Sequence, residues 1–217
     1  MSCSRFSTSR TDYRSNFQVQ SPSSAVYTGC MSTVLAPRMT LDEFLQLPET
    51  EPASEFICGE VIQKAMPSYN HGLLASILVF LFETYFRRNR EGFVVVEVRH
   101  SEREESRAYL PDVGIVSIKN VPKDYLTRSK GPIESPPDIA IEILSPDDRP
   151  GRVSEKLTFY MRAGVPLVWI IDPETRELHA HRPGLASTVH RAGEIIDAQP
   201  VLTDFQLSID ELFAVLD

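Results

Sequence analysis

The stretch from Asp138 to Asp172 limits the possible folds more than any other part of the chain, because it reads as strand, helix, strand with an acid planted inside the first strand. Asp138 to Leu144 (DIAIEIL) alternates strictly, with Ile139, Ile141 and Ile143 on one face and Asp138, Ala140, Glu142 and Leu144 on the other. A helix is predicted from about Arg152 to Ala163, closed by Gly164 and Pro166, and Leu167 to Asp172 (LVWIID) returns as a wholly apolar strand. Such a unit implies a right-handed crossover and partial parallel pairing. The expectation is an α/β fold, a mixed sheet covered by helices. At 217 residues, with 42% hydrophobic and 24% charged residues, the chain is an ordinary globular one with room for one sizeable domain and not a second.

The flanking elements follow from local signals. Thr40 with Glu43 reads as a capping box opening a short helix through Leu41, Phe44, Leu45 and Leu47, which Pro48 ends. Glu55 to Ile62 reads as two short strands around a turn at Cys58-Gly59. Asn70 to Arg90 has Leu74, Ile77, Leu78, Leu81 and Tyr85 at helical spacing, with Arg87, Arg88 and Arg90 in the last turn and Gly92 after it. Those arginines suit the negative end of the helix dipole, so they are first a structural feature. Phe93 to Arg99 and Tyr109 to Ile118 (YLPDVGIVSI) read as strands. Beyond Asp172-Pro173, the stretches 178–181, 188–191 and 194–196 read as short antiparallel strands and Ser208 to Leu216 as a closing helix.

Charge and composition exclude several classes of function. The formal charge of −8 argues against a protein that holds nucleic acid by neutralising phosphates with Lys and Arg, although an enzyme that meets phosphate through a metal ion is compatible with it. The first 38 residues hold four arginines, one acid and many Ser and Thr without apolar periodicity, which predicts a disordered tail. A transit peptide, a plain flexible arm, and a start placed too far upstream all fit; the last is favoured, with Met31 or Met39 as the first residue. The remaining body, 39–217, then carries about −11. Cys3, Cys30 and Cys58 lie far apart with no CxxC pair, which suggests neither a disulfide framework nor a zinc knuckle and fits a reducing compartment, the cytoplasm. The most apolar run, Gly72 to Phe82, is about half of the roughly 20 residues needed to cross a bilayer, so no membrane span is expected.

Two acids inside strands carry the chemistry. Asp112 follows Pro111 at the head of an apolar run, and Glu142 replaces a core residue in the alternation; carboxylates in such places are costly to bury without a partner. A divalent metal or a cation is the natural partner, and Mg²⁺ wants one or two carboxylates plus waters and substrate oxygens. Arg152 and Lys156 follow on the crossover helix, and a lysine beside a metal-bound water can orient it or take its proton. Each residue also has a bland reading: Asp112 as a strand entry, Lys156 as a solvated helix residue, His71 as part of a capping region. His179 and His181 alternate on one strand and are expected to be exposed; with His100 and His190 they are assigned nothing.

Taken in order, Pro111-Asp112, then Glu142-Ile143-Leu144, then a helix with Lys156, resembles the core of the PD-(D/E)XK, or restriction-endonuclease-like, superfamily. Within it the chain is similar to the small bacterial family called Uma-two. The resemblance covers 39–217: the MTLDEFLQLPE opening, Glu55 through Gly59-Glu60, Ser68-Tyr69-Asn70-His71, LPDVGIV, IAIEILSPDDR, EKLTFYMRAGVPLVWIIDP and FQLSIDELF. It departs from the superfamily pattern at Leu144, where a Glu-x-Lys would place lysine; Lys156 matches the position to which the lysine has moved in Uma-two relatives. The resemblance implies a metal-dependent endonuclease acting on nucleic acid, DNA before RNA, with no membrane partner. Asp112 and Glu142 would hold Mg²⁺ or Mn²⁺, Lys156 would position or deprotonate the attacking water, and Glu55 would hold a second metal or orient a water. His71 would contact phosphate or relay a proton, and Arg152 would clamp phosphate. A homodimer is the family expectation. The rival readings are a catalytically inactive nuclease-like scaffold or nucleic-acid-binding module, and a hydrolase of another phosphoester, for which no phosphate-cradling Gly-rich loop is present.

Overall fold

The computed structural model describes residues 39–121 and 133–217. The tail of 1–38, with Cys3, Cys30 and the expected start at Met31, lies outside the described residues, of which Met39, the other expected start, is the first. Helix α1 (Leu41–Leu45) opens on the expected capping box, in which the Glu43 N–H donates to Thr40 Oγ1 and the Thr40 N–H donates to Glu43 Oε2. Strands β1 (Ser54–Ile57) and β2 (Glu60–Gln63) form a hairpin whose two turn residues, Cys58 and Gly59, both have positive φ, the geometry that matches strand twist in a two-residue loop. Helix α2 (Tyr69–Asn89) starts at Ser68, whose hydroxyl accepts from the His71 N–H, and ends with Arg90 in the left-handed conformation. Gly92, which the pattern suggested as the helix stop, instead opens β3 (Gly92–Val96), where a Cβ would come within 2.7 Å of the Val116 carbonyl oxygen.

Strands β4 (His100–Glu102), β5 (Arg107–Tyr109), β6 (Val113–Ser117) and β7 (Ile139–Ile143) follow, then α3 (Pro150–Arg162) and β8 (Leu167–Asp172). The chain closes with β9 (Glu177–His181), β10 (Thr188–His190), β11 (Ile195–Asp197), β12 (Gln206–Ser208), α4 (Ile209–Phe213) and a 3₁₀ turn at Ala214–Leu216. Six strands make a mixed sheet in the order β10-β9-β8-β7-β6-β3, with β7 and β8 parallel across α3 as the crossover pattern required and the other neighbours antiparallel. A smaller sheet, β2-β1-β5-β4, stands beside it, and β11 pairs with β12.

The alternation in β7 sorts the core into two layers. Ile139, Ile141 and Ile143 pack with Val113, Ile115 and Trp169 against Leu74, Leu78, Phe82 and Phe86 of α2. Ala140, Val168 and Ile170 face the other way and pack against Val153, Leu157 and Tyr160 of α3. Both faces of β7 are therefore buried, and Glu142 enters the second layer among apolar neighbours.

Two expectations need correction. The run 109–118 is not one strand: Leu110-Pro111-Asp112 breaks it, so β5 belongs to the small sheet and β6 to the large one. Pro111 has no N–H to offer a ladder, and the Asp112 carboxylate takes the Ile143 N–H at 2.7 Å. Nor are the β9 histidines exposed. His181 is buried and His179 half-buried, because β9 is an interior strand between β8 and β10.

His100 supplies a test of the packing. It is buried at the start of β4 and its Nδ1–H donates to the Ser135 carbonyl oxygen at 2.7 Å; burial pulls its pKa down to about 4 against the Ser135 bond. The unfolded chain, with an ordinary histidine pKa near 6.5, takes up the proton first. This contribution is therefore full above about pH 6.5 and is lost as pH falls toward 4, amounting to about 2 kcal/mol between pH 7 and 5. Urea unfolding of wild type and His100→Gln at both pH values should show their stability difference shrinking by that amount; a difference independent of pH would contradict it.

Candidate active site

The register of β6 against β7 pairs Val113 with Ile141 and Gly114 with Ala140, and Asp112, the bend residue just before β6, reaches β7 through its side chain, Oδ2 accepting from the Ile143 N–H beside Glu142. Both carboxylates line the same cleft. They are 3% and 6% exposed. Glu55, 5% exposed in β1, approaches from the small sheet, and its Oε1 accepts from the Leu110 N–H at 3.4 Å.

Two lysines, one histidine and one tyrosine surround the three acids. Lys156 Nζ lies 3.0 Å from Glu142 Oε2 and 2.8 Å from Glu55 Oε1, bridging them. Tyr160, one helical turn on, donates its hydroxyl to Glu142 Oε1 at 2.7 Å. Lys64, just beyond β2, donates to Asp112 Oδ1 at 2.6 Å and to the Leu110 carbonyl oxygen at 3.1 Å. His71, in the first turn of α2, brings Nε2 to 3.1 Å from Asp112 Oδ2. Glu55, Lys64, His71, Asp112, Glu142 and Lys156 all line one cleft of about 370 Å³.

The electrostatics separate the two acids. Burial would raise the Asp112 pKa, but the charge of Lys64 and the bond and charge of His71 outweigh it and hold the carboxyl well below the usual range. Burial also raises Glu142; Lys156 works against it while the charge of Asp112 adds to it, leaving the group near 7. Lys156 loses by burial, yet Glu142 and Glu55 hold its ammonium well above the ordinary lysine value, so it stays charged. Burial lowers and Asp112 raises Lys64 and His71, with a net upward shift in each. Tyr160, pushed far up by burial and then by Glu142, stays protonated and serves as a donor.

Five of the six expected site residues, Asp112, Glu142, Lys156, Glu55 and His71, thus converge. Arg152 does not join them: it sits at the cleft's rim, half exposed, with its guanidinium 2.9 Å from Glu155 Oε2. Lys156 is not the solvated residue that its helix position alone suggested, since the charged face of α3 turns inward onto the acids. Two members escaped the sequence reading. Tyr160 could have been found from its i+4 spacing to Lys156; Lys64, a lone lysine after a two-strand hairpin, carries no such signal. Among the described residues no group of three or more His, Cys, Asp or Glu has a metal-holding arrangement. The donors that a hard cation could use are the carboxylates of Asp112 and Glu142.

Because Lys156 balances two buried carboxylates, Lys156→Met should destabilise the fold by about 3 kcal/mol, the cost of leaving buried charge unpaired. Adding Glu142→Gln should recover part of the loss. Urea unfolding of the two variants checks this; a single variant as stable as wild type would show that the bridge contributes nothing.

Against known proteins, residues 41–210 match the model of a family, Uma2, whose description is "Putative restriction endonuclease". A crystal structure from Anabaena variabilis, described as "a putative nuclease belonging to DUF820", superposes with a TM-score of 0.73 at 31% identity, covering 82% of this chain and 99% of that one. No curated protein matches. The family match across most of the chain and the shared fold lead to one assignment: the chain belongs to the Uma2 family.

Proposed function

We propose that the cleft hydrolyses phosphodiester bonds of nucleic acid, DNA in preference to RNA, with Mg²⁺ or Mn²⁺ held by Asp112 and Glu142. The observation that carries this reading is the convergence of Asp112 and Glu142 in one cleft, with the Lys156 ammonium against Glu142. The donor set fits such an ion: two carboxylates lining one cleft give the few hard oxygen ligands that Mg²⁺ takes, leaving room for water and phosphate. When bound, the ion polarises the phosphodiester and offsets charge on the leaving oxygen.

The chain's own residues do the rest. Lys156, kept charged by Glu142 and Glu55, acts as a donor rather than a base: its N–H groups orient the attacking water and stabilise the phosphoryl oxygens. Glu55 fixes the direction of that ammonium through its 2.8 Å contact. Tyr160 holds Glu142 Oε1, fixing that carboxylate's orientation. His71, beside Asp112 and lining the cleft, is placed to contact phosphate or pass a proton. Arg152 steadies a flanking phosphate from the rim. Meeting phosphate through a metal is consistent with a chain of charge −8. No helix among the described residues is long and apolar enough to cross a membrane, and we place the enzyme in the cytoplasm as a homodimer on the family's pattern.

One observation favours a second reading, a nuclease-like scaffold without activity: each acid of the pair already has a lysine of its own, so the cleft is stable as it stands. Cleavage of supercoiled plasmid and of single-stranded DNA by the full chain separates the two. Activity should require Mg²⁺ or Mn²⁺ and fall by at least about 10³ in Glu142→Ala. Equal inactivity of both proteins, with no metal binding by titration, would favour the scaffold.

A further inference from the structure

We infer that Lys64 is the resident counter-cation of Asp112, a positioning residue that must release the carboxylate before a divalent cation can bind there, and that Glu97 receives it. The inference rests on the reading of the cleft as a metal-dependent nuclease site.

Both oxygens of Asp112 are already engaged. Oδ2 accepts from the Ile143 N–H at 2.7 Å and from His71 Nε2 at 3.1 Å, and Oδ1 accepts from Lys64 Nζ at 2.6 Å. Oδ1 keeps one lone pair open, but a divalent cation on it would stand beside the Lys64 ammonium at 2.6 Å, and the two like charges compete for that oxygen. The Ile143 N–H belongs to the backbone of a strand buried on both faces and cannot leave without opening the sheet. The His71 backbone is fixed in the first turn of α2 by the Ser68 cap, and its imidazole has only two rotatable bonds with which to leave Asp112. Lys64 alone combines a positive charge with a flexible four-carbon stem on a segment outside any strand or helix. Lys156 is a poorer candidate for displacement, because it bridges two carboxylates at 2.8 and 3.0 Å.

A released ammonium needs somewhere to go, since leaving it unpaired in a half-buried cleft is costly. Glu97 answers that need. Its Oε1 lies 3.7 Å from Lys64 Nζ, too long for a full hydrogen bond in the present state, and its side chain is 47% exposed where that of Lys64 is 12% exposed. Glu97 leaves the β3 ladder one step past the Val96 to Val113 pair, in the left-handed region at φ +49°, and its side chain lines the cleft. A non-glycine residue rarely adopts that conformation, and here it turns the carboxylate toward Lys64 and water. The stem of Lys64 can swing from Asp112 outward to Glu97, exchanging a buried partner for a half-exposed one while the divalent cation takes over at Asp112.

A lysine needed only in the reaction, and a lysine competing for the metal ligand, predict opposite results for metal binding. Calorimetric titration of the full chain with Mn²⁺, without nucleic acid, distinguishes them. Lys64→Met should bind Mn²⁺ about tenfold more tightly than wild type, and Glu97→Gln, which removes the receiver, about threefold more weakly. Binding by Lys64→Met that is equal to or weaker than wild type overturns the inference and leaves the metal site standing. Absence of binding in wild type and variant alike overturns the metal reading and this inference with it. Should Lys64→Met fail to fold, wild type supplies the second measurement. The chain has only five lysines (Lys64, Lys119, Lys123, Lys130 and Lys156), so their ammonium NMR signals are few and Lys64→Arg assigns the one of interest. Saturating Mg²⁺ should abolish the hydrogen-bonded, slowly exchanging Lys64 signal; its persistence with Mg²⁺ bound overturns the proposal.

Discussion

Two carboxylates lining one cleft, Asp112 just before β6 and Glu142 on the neighbouring β7, are both almost out of water and repel one another in a medium that screens poorly, and their surroundings must answer that repulsion. Here the answer draws on every layer of the fold. The hairpin β1–β2 contributes Glu55 and ends at Lys64, α2 contributes His71 from its first turn, and α3 contributes Lys156 and Tyr160 from one face. The apolar layers on the two faces of the large sheet hold those helices where their polar residues can reach the acids. Core and cleft are therefore one arrangement, in which Leu157 packs beside Lys156 and Leu74 lies one turn beyond His71.

The junction between the two sheets sets the position of that cleft. Leu110-Pro111-Asp112 is where the chain leaves β5 of the small sheet and enters β6 of the large one. The same junction supplies Asp112, the Leu110 N–H that Glu55 accepts and the Leu110 carbonyl that Lys64 donates to. In the proposed function, this geometry lets an acidic domain meet phosphate without a basic surface, with carboxylates held in place by internal cations as the oxygen ligands of a divalent ion.

What the sequence disclosed depended on whether the signal was local. The strict alternation of 138–144, the capping box at Thr40 and the helical spacing of 70–90 each identify an element from a few adjacent residues, and the parallel pairing of β7 with β8 follows from the crossover between them. Glu142 was legible because it breaks an apolar pattern. The break at Pro111 was not, since YLPDVGIVSI is apolar on both sides and only the existence of a second sheet separates its halves. The burial of His181 likewise depends on β10 covering an interior strand, a fact of topology. Lys64 reaches Asp112 across 48 residues of chain, and no spacing rule spans that distance. The seven family blocks, in contrast, placed five of the converging residues together because they capture long-range arrangement that periodicity cannot.

The central claim, that the Asp112 and Glu142 pair is a divalent metal site, is most directly tested by anomalous diffraction from crystals of the full chain grown with Mn²⁺. The account predicts an anomalous peak within ligand distance of both carboxylates, with Lys64 Nζ withdrawn from Asp112 Oδ1. A map with no peak between the two acids, and with both lysines in the contacts described above, would contradict it.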